Sequence, residues 1–570
     1  MRWIKRNLIF VIFVIYILSA TSAVFNSFPV DEQITVLLPF SPGLVCEISG
    51  TGENIFCAYG VGSTPRNFVG KINDYGAFKT GIGFWRAVYT VVFQEKTYLP
   101  VMIHPGEGYL YYYVNKLFTF CDAYDLNAIR IHSIAIGFLT LFLLWLFLKD
   151  FLGLKTANLA ALLLAVNNAF LNSKGIFLFS DNYTHCLALG ILLLLWKYKK
   201  TSRISYLYLC SFVTGLALYQ KLTILWFLAA LLVLYALNRD KIKINFGLRR
   251  LFNCLFFVVL GGLPLVVFNL ESGGGSFMSL GSKFLGGARG LSQIIPAIWS
   301  NLLLFFSFLK EYPLETAILA IAALIFVFFR KEILAKENKQ SGRFLFILLL
   351  PIVIFLMISL STYGRDVSSY HHYELLIQFF VMAEAAIFVS FWELSSSRRL
   401  TALTKKLSFA VIVLVITFQF IYFISDLGNL PGRPGKEERE FLDREDKNEI
   451  IDYLEANNIN DPVFFDYNNV GTHSFLSKGK IRVINYFLVF AFLGGQDRRD
   501  VLKKIISINP KAVFIFPLNR GIYYPAKKND PKIYEDFLEL KKVSGLLLQT
   551  EKRLSFDDEM YIAVGLRDNK

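Results

Sequence analysis

The chain has 570 residues, of which 55% are hydrophobic, 56 are Phe and 28 are Tyr, and its mean hydropathy is +0.48. Repeated apolar runs reach membrane-spanning length, which excludes a soluble globular protein and a disordered chain. The formal net charge of +15 does not signal nucleic-acid binding, because the basic residues cluster in short loops between apolar runs, as membrane anchoring requires.

From the N-terminus, spans are expected at Leu8–Phe25, Ile131–Trp145, Ala157–Leu171, Tyr183–Trp196, Ile204–Tyr219, Leu222–Leu237, Leu251–Leu270, Leu314–Phe329, Phe344–Leu360, Leu375–Phe391 and Leu407–Ile424, about eleven in all. Several are shorter than about 20 residues and must borrow flanking positions. With Arg2, Lys5 and Arg6 inside, every second loop is basic: Lys149 with Lys155, Lys197 to Arg203, Arg239 to Arg250, Arg330 to Arg343 and Arg398 to Lys406. A further span at Ile294–Leu309 would put the Arg330–Arg343 cluster outside, so this run reads as a helix lying in the outer interface, with Pro296 near its start.

Leu8–Phe25 follows basic residues and reads as a retained signal anchor, although Ala20 to Ala23 has the look of a cleavage site. The protein is then a multi-pass protein of the cell (plasma) membrane with a cytoplasmic N-terminus. Residues 1–425 form its membrane domain and include a first outer loop, 26–130. Cys46 and Cys57 lie in that loop at a separation suited to a small disulfide or as two free thiols, whereas Cys186, Cys210 and Cys254 lie within spans.

Pro431-Gly432-Arg433-Pro434-Gly435 and the charged run after it mark a linker. Residues 426–570 read as a soluble, extracytoplasmic α/β domain. Helices are expected near Asn448–Ala456, Arg498–Ile508 and Lys532–Leu540, and strands at Pro462–Asp466, Ala512–Pro517 and Tyr561–Val564. Val483–Leu493 is too short to span comfortably and reads as a buried strand or hairpin. No Gly-rich phosphate loop opens a helix here, so acceptor recognition or packing over the membrane site is the expected role.

Chemistry is expected in the first outer loop. Asp74, in Ile72-Asn73-Asp74-Tyr75-Gly76, precedes His104-Pro105-Gly106-Glu107-Gly108-Tyr109-Leu110-Tyr111-Tyr112-Tyr113. A carboxylate at the outer face can act as a base on a substrate that arrives in lipid. Asp31-Glu32 is a rival acidic pair nearer the first span. The tyrosines suit an interfacial aromatic belt, and His104 and Glu107 either line the site or only shape the turn.

The stretch from Asp74 to Leu146 resembles the first outer loop and second span of the polyprenyl-phosphate-sugar-dependent membrane glycosyltransferases. That superfamily has the GT-C fold and includes protein O-mannosyltransferases and lipid A aminoarabinose transferases. The likeness lies in an acidic loop residue, an intervening interfacial helix, a His/Lys-Pro-Pro-Leu-Tyr-Tyr turn and an Arg-x-x-Ser-x-x-x-Gly-x-x-Thr helix, here Arg130 to Thr140 with Ser133 and Gly137 in register. Asn158 to Ala165 and Gly215-Leu216-Ala217-Leu218-Tyr219-Gln220-Lys221 are similar to the family's third span and its Gly-Leu-Ala-x-x-x-Lys helix end. Three features depart from the pattern. The usual acidic pair is Asp74-Tyr75, the second Pro of the turn is replaced by Gly106-Glu107-Gly108, and the stretch before Asp74 is long.

The resemblance implies a GT-C-like polytopic fold and transfer of a hexosyl or pentosyl unit from a polyprenyl-phosphate donor. The acceptor is a hydroxyl or amine of a glycan, lipid or protein at the outer membrane face. One base suffices for an inverting displacement from a phosphate leaving group, and Asp74 is that base. Cations hold the departing phosphate. Lys221, Arg365, His371 and His372, at the outer ends of spans, are the candidates, the alternative being that Lys221 and Arg365 snorkel to ordinary lipid head groups. Asp181 matches a family acidic residue in position, and equally suits an N-cap. Lys283 and Arg289 sit in the Gly-rich stretch Glu271–Gln293, either a lid over the donor or a plain connector. No Asp-x-Asp metal cradle stands in the first loop, so transfer without metal or cofactor is expected. The expected partners are the lipid-linked donor, the acceptor and membrane lipids, with no nucleic acid. A lipid or solute transporter, for which Glu384 within a span is the main argument, and a noncatalytic cell-envelope scaffold are the alternatives.

Overall fold

The computed structural model describes residues 2–25, 41–42, 59–60, 89–93, 97–104, 107–108, 110–118, 126–167, 169–171, 180–237, 247–271, 276–277, 294–336, 341–360, 373–396, 410, 417, 449–459, 462–464, 481, 484–485, 513–517, 547–556 and 559–567. In chain order they form α1 (Arg2–Phe25), β1 (Ser41–Pro42), β2 (Tyr59–Gly60), β3 (Tyr89–Phe93), β4 (Thr97–His104), β5 (Glu107–Gly108), α2 (Leu110–Phe118), α3 (Leu126–Phe151), α4 (Leu154–Ala165), α5 (Ser180–Thr201), α6 (Ile204–Gln220), α7 (Ile224–Leu237), α8 (Leu248–Gly261) and α9 (Leu263–Glu271). They continue with α10 (Ile294–Glu311), α11 (Pro313–Lys336), α12 (Ser341–Leu360), α13 (Glu374–Ser396), α14 (Glu449–Ala456), β6 (Val463–Phe464), β7 (Ile484–Asn485), β8 (Val513–Pro517), β9 (Leu547–Phe556) and β10 (Glu559–Arg567). The chain divides into a helical unit, residues 1–28, 129–263 and 277–434, and a second unit, residues 29–128, 264–276 and 435–570.

Polar contacts at the two ends of the helical unit fix the helix directions. At one end the Lys155 ammonium meets Glu393 Oε1 at 2.6 Å, Lys197 Nζ donates to Asp150 Oδ2 at 2.5 Å, and Arg343 Nη1 donates to the Phe151 carbonyl at 3.3 Å. The C-terminal ends of α3, α5 and α13 thus meet the N-terminal ends of α4 and α12. At the other end His132 hydrogen-bonds Tyr183, Asn301 Nδ2 donates to the Ser359 carbonyl at 3.2 Å, and the Tyr373 hydroxyl donates to the Asn301 carbonyl at 3.1 Å. The up-and-down order expected from alternating basic loops therefore holds for α3, α4, α5, α12 and α13, and the Lys149, Lys155, Lys197 and Arg343 loops gather at one end. Asn301, midway along α10, bonds to the ends of α12 and α13. Further along, Phe305 meets Phe355 of α12 at 4.9 Å and Phe380 of α13 at 5.8 Å between centroids, so α10 runs antiparallel alongside α12 instead of lying across the bundle end, where a helix at Ile294–Leu309 was expected.

The interior is aromatic and aliphatic, with Tyr16, Phe147, Phe170, Phe227, Phe344, Phe379 and Phe388 fully buried. Helix α1 is part of it: Tyr16 donates to the Ile134 carbonyl at 3.1 Å, and Phe13 meets Phe138 at 4.7 Å between centroids. The outer surface is apolar too, with Phe10, Leu232, Phe252, Phe256, Phe306 and Phe328 exposed. Water does not tolerate such a surface, whereas lipid does. By length and composition, 3 described helices, Ala128–Phe151, Gly342–Leu360 and Leu375–Leu394, suffice to cross a membrane, or up to 4 if the bent pair Leu248–Gly261 and Leu263–Leu270 is one span. Leu8–Thr21, Leu154–Ala165, Ile204–Gln220 and Ile224–Leu237 are shorter apolar helices. Leu407–Ile424 lies almost wholly outside the described residues.

Two expected spans are interrupted. Helix α4 stops at Ala165, and the Asn167 side chain then accepts the Phe170 N–H at 2.8 Å, opening a separate helical turn. The run Leu251–Leu270 breaks between α8 and α9 at Gly262. Glycine serves a second purpose here: a Cβ at Gly215 of α6 would stand 2.1 Å from the Val258 carbonyl oxygen, and one at Gly261 of α8 would stand 2.1 Å from that of Phe212. Only hydrogen at these positions lets the two backbones approach so closely.

In the second unit, residues 74–88 of the first outer loop lie outside the described residues. They precede a sheet in which β3 pairs antiparallel with β4, and β4 with β5. The reason is local: Tyr89-Thr90-Val91-Val92-Phe93 and Thr97 to His104 are rich in β-branched and aromatic residues. His104 pairs with Glu107 in that ladder. Tyr111 in α2 is 2% exposed, so it packs inside instead of joining an aromatic belt. The C-terminal part is a mixed sheet of order β7-β6-β8-β10-β9, with β6 parallel to β7 and β8 and the β8-β10-β9 edge antiparallel. Strands occur at 463–464, 484–485, 513–517 and 559–567, where the sequence pattern put them, and α14 covers 449–456. Strand β9 was not expected, since its charged centre, Glu551-Lys552-Arg553, breaks the apolar alternation. The expected helices near 498–508 and 532–540, and Cys46 and Cys57, lie outside the described residues.

Candidate active site at one end of the helix bundle

The end of the helical unit marked by His132 concentrates buried polar side chains. Arg130, His132 and Ser133 come from the first turns of α3; Asn182, Thr184 and His185 from those of α5; Gln220, Lys221 and Thr223 from the α6–α7 junction. Each sits at the end of an apolar helix, where the chain can carry a polar group without placing it in hydrocarbon. His132 is fully buried and bonds the Tyr183 hydroxyl. Gln378, in the first turns of α13, donates to the His185 carbonyl at 3.5 Å.

Lys221 ends α6 in an extended conformation, φ −159° and ψ 126°, and its N–H bonds the Ala217 carbonyl at 3.0 Å. The residue is 6% exposed. A side chain so enclosed does not reach out along the bundle to bulk lipid head groups, which removes the snorkelling alternative. Arg130 is equally enclosed, so two cations are held inside this end. Phe227 stacks on Phe379 at 5.6 Å between centroids. At about 1.5 Å of rise per residue, that pair sits within about a turn of the starts of both α7 and α13, which places Lys221 and Tyr373 at the same level.

The end also has open hydrogen-bonding capacity. Gln220 is fully buried and neither its amide nitrogen nor its amide oxygen has a hydrogen-bond partner among the described residues; the same is true of Gln378 Oε1 and Ser359 Oγ. Unsatisfied buried polar atoms cost about 1–3 kcal/mol each, a cost that a polar ligand or ordered water removes. The Tyr373 phenol is pushed up from its ordinary pKa by burial, and it serves as a donor to Asn301. Among the described residues no group of three or more His, Cys, Asp or Glu gathers.

The expected site residues fall into three sets. Lys221 is in this polar end. Asp181 is the second residue of α5, inside the helix rather than before it as an N-cap; His104 and Glu107 face each other in the β4–β5 ladder of the second unit. Asp74, Arg365, His371 and His372 lie outside the described residues, as do Asp31, Glu32, Lys283 and Arg289. The sequence motifs include Arg130, His132 and Gln220 without a role for them, and Tyr183, His185 and Gln378 were missed. Their common signal is a polar residue within a turn of the end of an apolar run. Glu384, 6% exposed, sits deeper in α13.

The apolar outer surface and this polar end define a polytopic membrane protein. Residues 104–267 match the family described as dolichyl-phosphate-mannose-protein mannosyltransferase. Two solved structures of ArnT from Cupriavidus metallidurans, one bound to undecaprenyl phosphate and one in the apo state, are 11% identical, cover 98% of this chain and 98% of theirs, and superpose with TM-scores of 0.55 and 0.56. The apo oligosaccharyltransferase of Archaeoglobus fulgidus is 11% identical over 91% of this chain and 70% of its own, with a TM-score of 0.46. No curated protein matches in sequence. The resemblance read from Asp74 through Lys221 to polyprenyl-phosphate-sugar-dependent glycosyltransferases of GT-C fold is borne out from residue 104 onward by the family match, and the ArnT superpositions show the fold.

Proposed function

We propose that the protein is a membrane glycosyltransferase that moves a sugar from a polyprenyl-phosphate donor to an acceptor hydroxyl or amine at the outer membrane face, with inversion. The observation that carries this is the enclosure of Arg130 and Lys221, with open hydrogen-bonding atoms, at one end of a GT-C bundle. Two buried cations stabilise a departing phosphate better than solvated ones, because the surroundings are already organised around that charge. Asp74 deprotonates the acceptor, Arg365, His371 and His372 add to the phosphate grip, and Asp181, His104 and Glu107 contact substrate. No metal or cofactor takes part. The C-terminal domain, residues 426–570, recognises the acceptor and faces outward, and the N-terminus is cytoplasmic.

The test is to incubate the purified protein with a polyprenyl-phosphate-linked sugar and membrane-extract acceptors, and to follow release of polyprenyl phosphate together with labelled product. Donor that binds but is never cleaved, across glycan, lipid and protein acceptors, overturns the proposal. Glu384, buried within a span, favours the transporter reading; sugar-lipid flux in proteoliposomes without cleavage would select it.

A further inference from the structure

The opposite end of the helical unit holds a second charged arrangement that sugar transfer does not use. Trp196, near the C-terminal end of α5, is 8% exposed, and its indole N–H is buried with no hydrogen-bond partner among the described residues. The Arg343 guanidinium lies 4.6 Å from the centroid of that ring, and the Lys199 ammonium lies 6.0 Å from it. Phe151 stands edge-on to the same ring at 4.8 Å, and its carbonyl accepts from Arg343. The guanidinium is thereby held in place by a hydrogen bond and a cation–π contact.

Two cations converge on one ring. Asp150 is occupied by Lys197 and, at 3.9 Å, by Lys200, and Glu393 is occupied by Lys155. Among the described residues neither Arg343 nor Lys199 has an ion pair. Lys199 lies beyond the end of the Tyr183–Trp196 span, and partial burial, then the neighbouring guanidinium, hold its ammonium below the ordinary lysine range. An anion between the two groups would reverse that repulsion, and a phosphate oxygen could also accept the idle indole N–H.

We propose that Arg343, Lys199 and the Trp196 indole form a binding site for a phosphate group, supplied by an anionic phospholipid head group or by free phosphate, at the end of the bundle opposite to the candidate active site. The site is independent of the proposed transfer reaction. It anchors the α5–α12 corner where a membrane surface rich in anionic lipid would meet it.

The experiment uses the full chain in detergent micelles doped with either phosphatidylglycerol or phosphatidylcholine, with bound lipid counted by native mass spectrometry and inorganic phosphate added as competitor. The wild type should retain phosphatidylglycerol in preference to phosphatidylcholine. Arg343→Gln with Lys199→Gln should weaken that retention about 30-fold, from two charges near the membrane surface. Trp196→Phe, which keeps the ring and removes the N–H, should weaken it about fivefold. The charge-matched control, Lys155→Gln with Lys200→Gln, should change it less than about threefold, since those cations already have partners. Displacement by millimolar inorganic phosphate identifies free phosphate as the ligand, and resistance to it identifies the lipid. Equal losses in the control and in the Arg343/Lys199 variant, or a wild type that holds neither phosphatidylglycerol nor phosphate, overturn the proposal. Should the double variant fail to fold, the Trp196→Phe comparison decides alone.

Discussion

The His132 imidazole and the Tyr183 hydroxyl meet in a buried hydrogen bond that ties the second turn of α3 to the first turn of α5. Both residues belong to helices that start at the polar end, so the bond sets the spacing of the walls on either side of Arg130 and Asn182. A double-mutant cycle with His132→Ala and Tyr183→Phe, read by thermal unfolding in one detergent, should give a coupling of about 1 kcal/mol, in the range of hydrogen bonds between membrane helices. Additive effects would show that the pair contributes no coupling.

The α6–α8 contact leads to a second expectation. Gly215→Ala puts a methyl 2.1 Å from the Val258 carbonyl oxygen, a backbone atom that cannot rotate away, so the helices must separate. The cost should be about 1–3 kcal/mol, as for overpacking elsewhere. Gly190→Ala in α5, where the added carbon would meet only Val213 Cγ1 at 3.8 Å, is the control and should be nearly neutral. Similar unfolding temperatures for the two variants would remove the close-approach argument.

Much of the bundle was legible because lipid imposes strict rules on sequence. The alternation of basic loops correctly ordered α3, α4, α5, α12 and α13, whereas the charge balance that kept Ile294–Leu309 out of the set of spans did not foresee that α10 packs alongside α12. Breaks at Val166-Asn167 and at Gly262 were not legible, since hydropathy does not register a helix that stops and restarts within one apolar run. The β3–β5 sheet was not read from the sequence, although Val91-Val92 and the aromatic residues around them carry strand propensity. Lys221 was found because a lysine closing an apolar helix stands out. Gln220 and Gln378 were not, because pairing across helices decides whether a buried amide is satisfied, and that depends on tertiary structure.

Lys221 is the proposed phosphate ligand that lies buried at the polar end of the bundle. Lys221→Met preserves length and removes charge, so donor binding should weaken by about 10-fold or more, the scale of a charge-assisted hydrogen bond. Lys221→Arg should recover part of it. Fluorescence or calorimetric titration with polyprenyl phosphate alone isolates the phosphate contribution. An unchanged affinity in the methionine variant removes Lys221 from the site.

Transfer is expected to proceed without a divalent ion, since the buried cations supply the charge that a metal would otherwise bring to the leaving phosphate. Initial rates measured after dialysis against chelator should match those of untreated protein. Complete loss of turnover, restored by manganese or magnesium, would show this expectation to be wrong.

Asp74 carries the sharpest prediction, because its role as base separates chemistry from binding. Asp74→Asn keeps the shape of the side chain and abolishes its basicity, so transfer should fall by about 10²-fold or more, the usual scale of positioned base catalysis. Donor affinity should stay near that of the wild type, since the donor phosphate is held by cations and not by the base. Arg365→Ala should instead lower donor affinity and rate together, because a phosphate contact operates before and during the reaction. Both variants are to be assayed for initial-rate transfer and donor binding in the same detergent. Near-normal turnover in Asp74→Asn transfers the role to Asp31 or Glu32, each testable by the corresponding amide, and if all three carboxylates prove dispensable the reading of this chain as an enzyme fails.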